Sequence, residues 1–262
     1  MKNKYDIIYS IGHDCACSMY LRKHNLRTTS GPFDWLTNVS PKKRFELMLN
    51  EFDDFMNIDD FEFMQKNPEI FNDDACDYYK NKKNGFYFYH DFPTGVPLQE
   101  SFPDVAKKYE RRIKRFYENI KNKERVLLVW FSHYHETPND EWNDFAIKFC
   151  NKIGKNIDFL IIQHRDGQYL PDVTQIAPNV IRYDVHTIEK DKDGNITTVG
   201  NERLCSPIFD KYALRIPKGN VLPYLYKMFL LRTVCKYTPI KKLRHVWRDK
   251  LTNDINMLKN AN

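Results

Sequence analysis

Short runs of β-branched and aromatic residues alternate along this chain with longer helix-like segments, and this alternation constrains the fold most. Five runs predict buried strands, over residues 5–11, 85–89, 125–131, 157–163 and 180–184. Between them the patterning predicts helices over about residues 15–25, 41–56, 101–122 and 139–154. Such alternation is typical of a mostly parallel sheet covered by helices. The sequence therefore predicts an α/β fold, a single three-layer domain over residues 1–215.

The composition changes near residue 216. Beyond it, aromatic and aliphatic residues are interleaved with lysine and arginine, as in the run Tyr-Leu-Tyr-Lys-Met-Phe-Leu-Leu-Arg over residues 224–232. This predicts a basic amphipathic helical tail over residues 216–262, of the kind that rests on anionic lipid. Plain helical packing is an alternative. Nucleic acid is disfavoured as a partner, because no nucleic-acid fold accompanies the charge.

Composition also bears on the cellular compartment. No window approaches the ~18 consecutive apolar residues of a membrane span, and residues 1–6 lack the apolar segment of a signal peptide. The six cysteines are scattered along the chain, and without a secretion signal we expect them to remain reduced thiols. These features predict a cytoplasmic protein, held at the inner face of the membrane if the basic tail binds lipid.

Polar residues follow each predicted strand. The groups are Gly12-His13-Asp14-Cys15, His90-Asp91, Ser132-His133-Tyr134-His135-Glu136, His164-Arg165-Asp166 and Asp184-Val185-His186. In open, Rossmann-like parallel sheets, ligands gather at the carboxyl ends of the strands. We therefore expect the functional site at this edge of the sheet.

Cys15 is the first candidate at that edge. It follows a strand and the sharp turn at Gly12, and it begins a helix-like segment. Helix N-termini favour anions and lower cysteine pKa values, so this layout predicts an easily ionised thiol that acts as a nucleophile. Gly12, His13 and Asp14 would then line the substrate site. The alternative is that Cys15 is a buried small hydrophobic residue.

A cysteine nucleophile needs a base and a group that orients the base. We predict His90 as the base, with Asp91 or Asp34 orienting it. His90 could instead cap a loop, and Asp34 could instead bind backbone N–H groups within its turn-rich segment. Ser132 and His133 are predicted to contact substrate, with His133 as a substitute base.

Two further patterns offer binding groups. Arg111 and Arg115 lie four residues apart on one helical face and could clamp a phosphate or carboxylate, although a solvated cationic face is the alternative. The spacing of His133, His135 and Glu136 could suit a metal ion, but zinc needs three or four ligands and no other Cys/His pair has suitable spacing. We therefore expect no metal site.

Several motifs together carry a family resemblance. They are Ser10-Ile11-Gly12-x-x-Cys15, Ser30-Gly31-Pro32-Phe33-Asp34-Trp35, His90-Asp91-Phe92 and Tyr109-x-Arg111-Arg112-Ile113-x-Arg115-Phe116. In that order they resemble a bacterial family of unknown function labelled as papain-like cysteine peptidases, over about residues 5–190. The resemblance implies a thiol nucleophile at Cys15 with histidine and acid partners. The layout is also similar to acyltransferase-like proteins of capsule biosynthesis.

The sequence therefore leaves three alternative functions. The first is a papain-like cysteine peptidase or other thiol-dependent hydrolase that needs no cofactor. The second is an acyltransferase in bacterial surface-polysaccharide biosynthesis, for which coenzyme A would be the donor. The third is a module that binds a glycan without catalysis. The expected substrate is accordingly a small molecule, a glycan or a peptide.

Overall fold

A computed structural model of the chain describes residues 2–66, 76–134, 136–216 and 221–260. Its strands are β1 (Asn3–Tyr5), β2 (Ile7–Ser10), β3 (Leu36–Thr37), β4 (Phe61–Gln65), β5 (Cys76–Asn81), β6 (Tyr87–Pro93), β7 (Val126–Ser132), β8 (Asp158–His164), β9 (Asp172–Ala177), β10 (Val180–Val185) and β11 (Tyr212–Leu214). Its α-helices are α1 (Cys15–Lys23), α2 (Pro41–Leu49), α3 (Leu98–Asn122), α4 (Asn139–Ile153), α5 (Glu202–Phe209), α6 (Val221–Tyr237) and α7 (Lys241–Asn260).

The main sheet has five strands in the order β2-β7-β8-β10-β9. The first four are mutually parallel, and β9 pairs with β10 in the antiparallel direction. The predicted mixed α/β fold with a mostly parallel sheet is confirmed. Four of the five predicted strand runs correspond to β2, β7, β8 and β10.

Both faces of this sheet are apolar, because successive side chains of a strand point to opposite sides. On β7, Leu128 and Trp130 belong to one buried cluster together with residues of α2, α3 and α4. Leu127 and Val129 belong to a second cluster with residues of α1 and α5. Strands buried on both faces read as continuous apolar runs, which explains why they were recognisable in the sequence.

The predicted strand over residues 85–89 lies elsewhere. It corresponds to β6, which belongs to a separate antiparallel sheet with the order β3-β6-β5-β4. A tight turn between β5 and β6 allows these two strands to pair. In this turn the Asn81 side chain accepts hydrogen bonds from the N–H groups of Lys83 and Asn84, and Gly85 adopts a φ of +83°. Placing this run in the parallel sheet was wrong, so His90 and Asp91 lie on the second sheet.

The two ends of the described chain differ in their packing. Strand β1 pairs in parallel with β11, which ties the start of the chain to residues 212–214. Helices α6 and α7 pack chiefly against each other. No helix within the described residues is sufficiently long and apolar to cross a membrane.

Candidate functional site

The turn between β2 and α1 runs along the neighbouring strand β7. The N–H of His13 donates to the carbonyl of Phe131 at 2.9 Å, and the N–H of Gly12 donates to Ser10 Oγ at 3.2 Å. A Cβ at position 12 would lie 2.5 Å from the Cβ of Cys17, so only glycine fits there. The predicted strand, glycine turn and helix are therefore present, at the carboxyl end of β2.

Cys15 is the first residue of α1, and Asp14 is its N-cap. The Asp14 carboxylate accepts a hydrogen bond from the N–H of Ala16 at 2.8 Å. Cys15 is 7% exposed, and burial, followed by the charge of Asp14, raises the pKa of its thiol to about 12. The prediction of an easily ionised thiol was wrong. Loss of hydration and an adjacent carboxylate outweigh the effect of the helix N-terminus.

An imidazole and a carboxylate stand directly before this thiol. His13 Nδ1 lies 3.5 Å from Asp14 Oδ2, and both residues are buried. The His13 ring also contacts the ring of Tyr134, with 5.3 Å between centroids. Two residues predicted only to line the substrate site, His13 and Asp14, thus form a His–Asp pair in the turn that immediately precedes Cys15 in the chain.

His133 has both ring nitrogens engaged within the protein. Nε2 faces the carbonyl of Thr198 at 3.2 Å and must donate to it, so Nδ1 accepts from the Thr187 hydroxyl at 2.8 Å. Burial lowers the pKa of His133. Ser132 is fully buried, and its Oγ accepts from the N–H of Tyr134. These contacts leave His133 poorly suited to serve as a substitute base; His135, the other imidazole of the predicted metal pattern, lies outside the described residues.

His90 and Asp91 face different neighbours on β6. The half-buried His90 ring packs edge-on against Trp35, with 5.5 Å between centroids. The Asp91 carboxylate accepts from the Tyr109 hydroxyl at 2.9 Å and pairs with Lys108 at 2.5 Å, both on α3. Adjacent residues of a strand point to opposite faces, so a His-Asp dipeptide there cannot pair its side chains easily.

Asp34 is also committed to structural contacts. Its carboxylate lies 2.8 Å from Arg27 Nε and accepts from the N–H of Gly31 at 3.1 Å. Asp34 therefore binds a backbone N–H group, as the alternative interpretation of this residue predicted. Either carboxylate was predicted to orient a histidine. Instead, Asp91 contacts Tyr109 and Lys108, and Asp34 contacts Arg27.

The two candidate clamp arginines have different surroundings. Arg111 is exposed on α3. Arg115 is half-buried, its guanidinium donates to the carbonyl of Ser30 at 2.7 Å, and burial lowers its pKa. Arg115 thus holds the turn-rich segment after α1, and the pair does not converge on a common ligand position.

Sequence reasoning missed Arg44 on α2, which is fully buried. One guanidinium nitrogen donates to the carbonyls of His13 at 2.7 Å, Asn38 at 2.9 Å and Leu36 at 3.2 Å. The charge also faces the rings of Phe33, Phe86 and Trp130. Burial lowers the pKa of Arg44 to about 9, so it remains charged at neutral pH. Its sequence signal was its helical spacing with the apolar residues Pro41, Phe45 and Met48.

Comparison with known proteins adds a family and one relative. Residues 6–167 match the model of a family described as "Putative papain-like cysteine peptidase (DUF1796)". A protein of Acanthamoeba polyphaga mimivirus, named "Uncharacterized protein R408", is 27% identical over 134 residues, which are 47% of this chain and 60% of the viral protein. No solved structure gives a significant match.

Proposed function

This chain belongs to the family described as "Putative papain-like cysteine peptidase (DUF1796)", whose model matches residues 6–167, and on that premise we propose that it is a thiol-dependent hydrolase with Cys15 as nucleophile. The observation that carries the proposal is the His13–Asp14 pair, 3.5 Å apart, directly before Cys15. A carboxylate that orients an imidazole beside a thiol is the arrangement that cysteine catalysis uses. His13 therefore takes the role first predicted for His90.

The proposed reaction follows from the protonated state of the thiol. With a pKa of about 12, Cys15 carries its proton at neutral pH, so His13 must accept that proton as Sγ attacks the acyl carbon of a bound ester or amide. The leaving group then takes the proton from His13, and water hydrolyses the thioester. Helices on both faces of the sheet support the three-layer, Rossmann-like arrangement in which substrate sits at this edge.

The acyltransferase alternative has less support than the hydrolase. Coenzyme A carries phosphates, for which Arg111 and Arg115 were the candidate partners. Arg111 is solvent-exposed and Arg115 is bonded to the Ser30 carbonyl. The burial and raised pKa of the Cys15 thiol are compatible with the other alternative, a glycan-binding module without catalysis, although neither property bears on glycan binding itself.

An acyl-type electrophilic probe separates catalysis from binding alone. The full chain is incubated with the probe at neutral pH, and the modified cysteine is located by mass spectrometry. We expect labelling of Cys15, its loss in Cys15→Ser and a reduction of at least about tenfold in His13→Asn, within the usual effect of removing a general base. Cys235→Ser is the matched control, since this thiol is exposed on α6.

Labelling that persists unchanged in Cys15→Ser would reject the hydrolase and favour the binding module. The variant His90→Asn tests the original choice of base: labelling should survive this change. If His90→Asn abolishes labelling while His13→Asn does not, His90 is the base and the His13 assignment is wrong. Thermal unfolding of each variant shows whether lost labelling reflects lost structure.

We also propose that the α6–α7 hairpin binds an anionic membrane surface, at the inner face of the membrane in the cytoplasm. On α6, Leu222, Leu225, Tyr226 and Phe229 are exposed at helical spacing, and on α7, Leu243, Val246 and Trp247 are exposed in the same way. Lysines and arginines of the same helices include Arg232, Lys236, Lys242, Arg244 and Lys250. Exposed apolar side chains interleaved with cationic ones are complementary to the surface of an anionic bilayer.

Vesicle flotation tests this binding with the full chain. We expect binding to phosphatidylglycerol-containing vesicles that weakens with salt, and little binding to phosphatidylcholine alone. Phe229→Glu should reduce it, whereas Leu170→Glu, at an even more exposed apolar residue outside the hairpin, should not. Equal binding to both vesicle types would contradict the proposal. So would a result in which Phe229→Glu abolishes self-association of the chain instead of reducing its binding to vesicles.

A further inference from the structure

The carboxyl ends of β8 and β10 lie side by side, and each brings an imidazole to the edge of the sheet. His164 ends β8 in register with Val185, the last residue of β10, and His186 follows directly. The two ring centroids are 4.9 Å apart. Asp166, two residues beyond His164, adds a carboxylate. One ligand atom from each of these three side chains lies within 4.8 Å of the other two.

The distance between the His186 ring and the Asp166 carboxylate fits two ligands of one metal ion. His186 Nδ1 lies 3.3 Å from Asp166 Oδ1, yet this buried nitrogen has no hydrogen-bond partner among the described residues. Zinc binds nitrogen and oxygen ligands at about 2.0–2.1 Å with tetrahedral geometry, which separates neighbouring ligand atoms by roughly 3.4 Å. The pair therefore has the spacing of two ligands of one ion, and an ion there would satisfy the buried nitrogen.

Thr187 orients the third ligand. Its backbone N–H donates to His164 Nδ1 at 3.1 Å, and its hydroxyl lies 3.4 Å from the same nitrogen. Nε2 is then the nitrogen of His164 that is left for an ion. With an ion on Nε2, the proton of His164 would move to Nδ1. The hydrogen bond that Nδ1 accepts from the Thr187 N–H would then give way to one that Nδ1 donates to the Thr187 hydroxyl, 3.4 Å away. Such a hydrogen bond from the second nitrogen is the usual support of a metal-bound histidine.

We propose that His164, Asp166 and His186 form a binding site for a divalent transition-metal ion, with Zn²⁺ as the ion that fits best. Two imidazoles and one carboxylate form the protein ligand set of open zinc sites, in which the fourth position is held by water. The Asp166 side chain is 92% exposed, so the site opens to solvent. The sequence predicted no metal site, because His186 follows Asp166 by 20 residues and strand pairing brings it to His164 and Asp166.

Titration calorimetry with Zn²⁺ on the full, untagged chain tests the site. We expect one equivalent to bind, and Asp166→Asn and His186→Ala each to weaken binding by about tenfold or more. Asp166→Asn is informative because so exposed a side chain can change without disturbing the core. His24→Ala is the matched control, since His24 lies 3.0 Å from Asp210 in an ordinary surface pair.

A spectroscopic measurement distinguishes these ligands from the free cysteines. With Co²⁺ as the probe, nitrogen and oxygen ligands give only weak visible bands, whereas a cysteine ligand adds an intense sulfur-to-metal charge-transfer band. We expect no such band. We also expect Cys15→Ser to bind the ion as the unmodified chain does, so this experiment tests the metal site independently of the proposed hydrolase. A charge-transfer band, or binding unchanged in the double variant His164→Ala/His186→Ala, would overturn the proposal.

Discussion

The Arg44 guanidinium donates a hydrogen bond to the carbonyl oxygen of His13 at 2.7 Å, and this contact joins helix α2 to the turn that precedes Cys15. The same nitrogen also binds the Leu36 carbonyl on β3, a strand of the second sheet. One buried cation thus connects the edge of the parallel sheet to the antiparallel sheet. The position of the Cys15 turn therefore depends on a residue outside the carboxyl edge where the site was expected.

Replacing Arg44 by methionine should destabilise the protein by about 3 kcal/mol or more. The change keeps an apolar stem of similar length but leaves two buried carbonyl groups and one part-buried carbonyl group without their donor, and an unsatisfied buried group costs about 1–3 kcal/mol. Arg44→Lys should lose less, because the charge remains. Urea unfolding measures the loss, with Arg111→Met on the exposed face of α3 as the control. A change below roughly 0.5 kcal/mol, typical of surface sites, would contradict this role.

The neighbouring carboxylate sets the reactivity of Cys15. The negative charge of Asp14 raises the pKa of the thiol, so Asp14→Asn should lower that pKa while the amide keeps the N-cap. More thiolate is then present at each pH, and each unit of lowered pKa raises the thiolate fraction about tenfold. We expect alkylation of Cys15 by iodoacetamide between pH 7 and 9 to become faster.

Peptide mass spectrometry measures this rate for Cys15 alone. In the unmodified chain the rate should keep rising with pH without a plateau, because the pKa is about 12. Asp166→Asn removes a carboxylate elsewhere on the edge and should leave the Cys15 rate unchanged. A slower rate in Asp14→Asn than in the unmodified chain would show that the cap, rather than the charge, governs this thiol.

Local patterns predicted the main sheet well, because its strands are buried on both faces. The bounds of β7, β8 and β10 follow from continuous apolar runs between helices with clear periodicity. The run at 85–89 shows the limit of this reasoning. A strand's own residues do not say whether its neighbour is parallel or antiparallel, and the partner β5 was not recognised as a strand.

The turn before Cys15 was predicted correctly, but the raised pKa of the Cys15 thiol was not. The turn at Gly12 placed Cys15 at a helix start, as expected from glycine and the following helical pattern. The effect of burial on its pKa depends on side chains packed over it from distant segments, which no local motif encodes. Arg44 was missed for a related reason, since its partners His13, Leu36 and Asn38 meet only in the folded chain.

Two adjacent residues of β6 should respond differently to substitution. Asp91 is buried and bound to Tyr109 and Lys108, so Asp91→Ala should cost about 2–4 kcal/mol by leaving the lysine charge and the tyrosine hydroxyl without their partner. His90 is half-buried against Trp35, and His90→Gln should cost about 1 kcal/mol or less. Urea unfolding of both variants provides the comparison. Equal losses would show that the two side chains share one network after all.

Gly200 packs directly against His133, and substituting alanine there should destabilise the protein strongly. A Cβ at this position would overlap the carbonyl oxygen of Thr187 and Cε1 of His133, and the backbone has a φ of +68°. Gly194→Ala is the matched control, because its φ is +83° but a Cβ there has no neighbour within 4 Å. The control should lose about 1–2 kcal/mol from the left-handed backbone alone.

Gly200→Ala should lose that amount and roughly 1–3 kcal/mol more, the usual cost of overpacking a buried site. The difference between the two variants in urea unfolding therefore isolates the contact with His133. Because the overlap can be relieved only by moving the imidazole or the Thr187 carbonyl, the His133 hydrogen bonds to Thr187 and Thr198 should weaken as well, which the ring ¹⁵N shifts of His133 would report. Equal stability of the two variants would mean that residues 197–201 move away from His133 at little cost, and that this loop does not hold the imidazole in place.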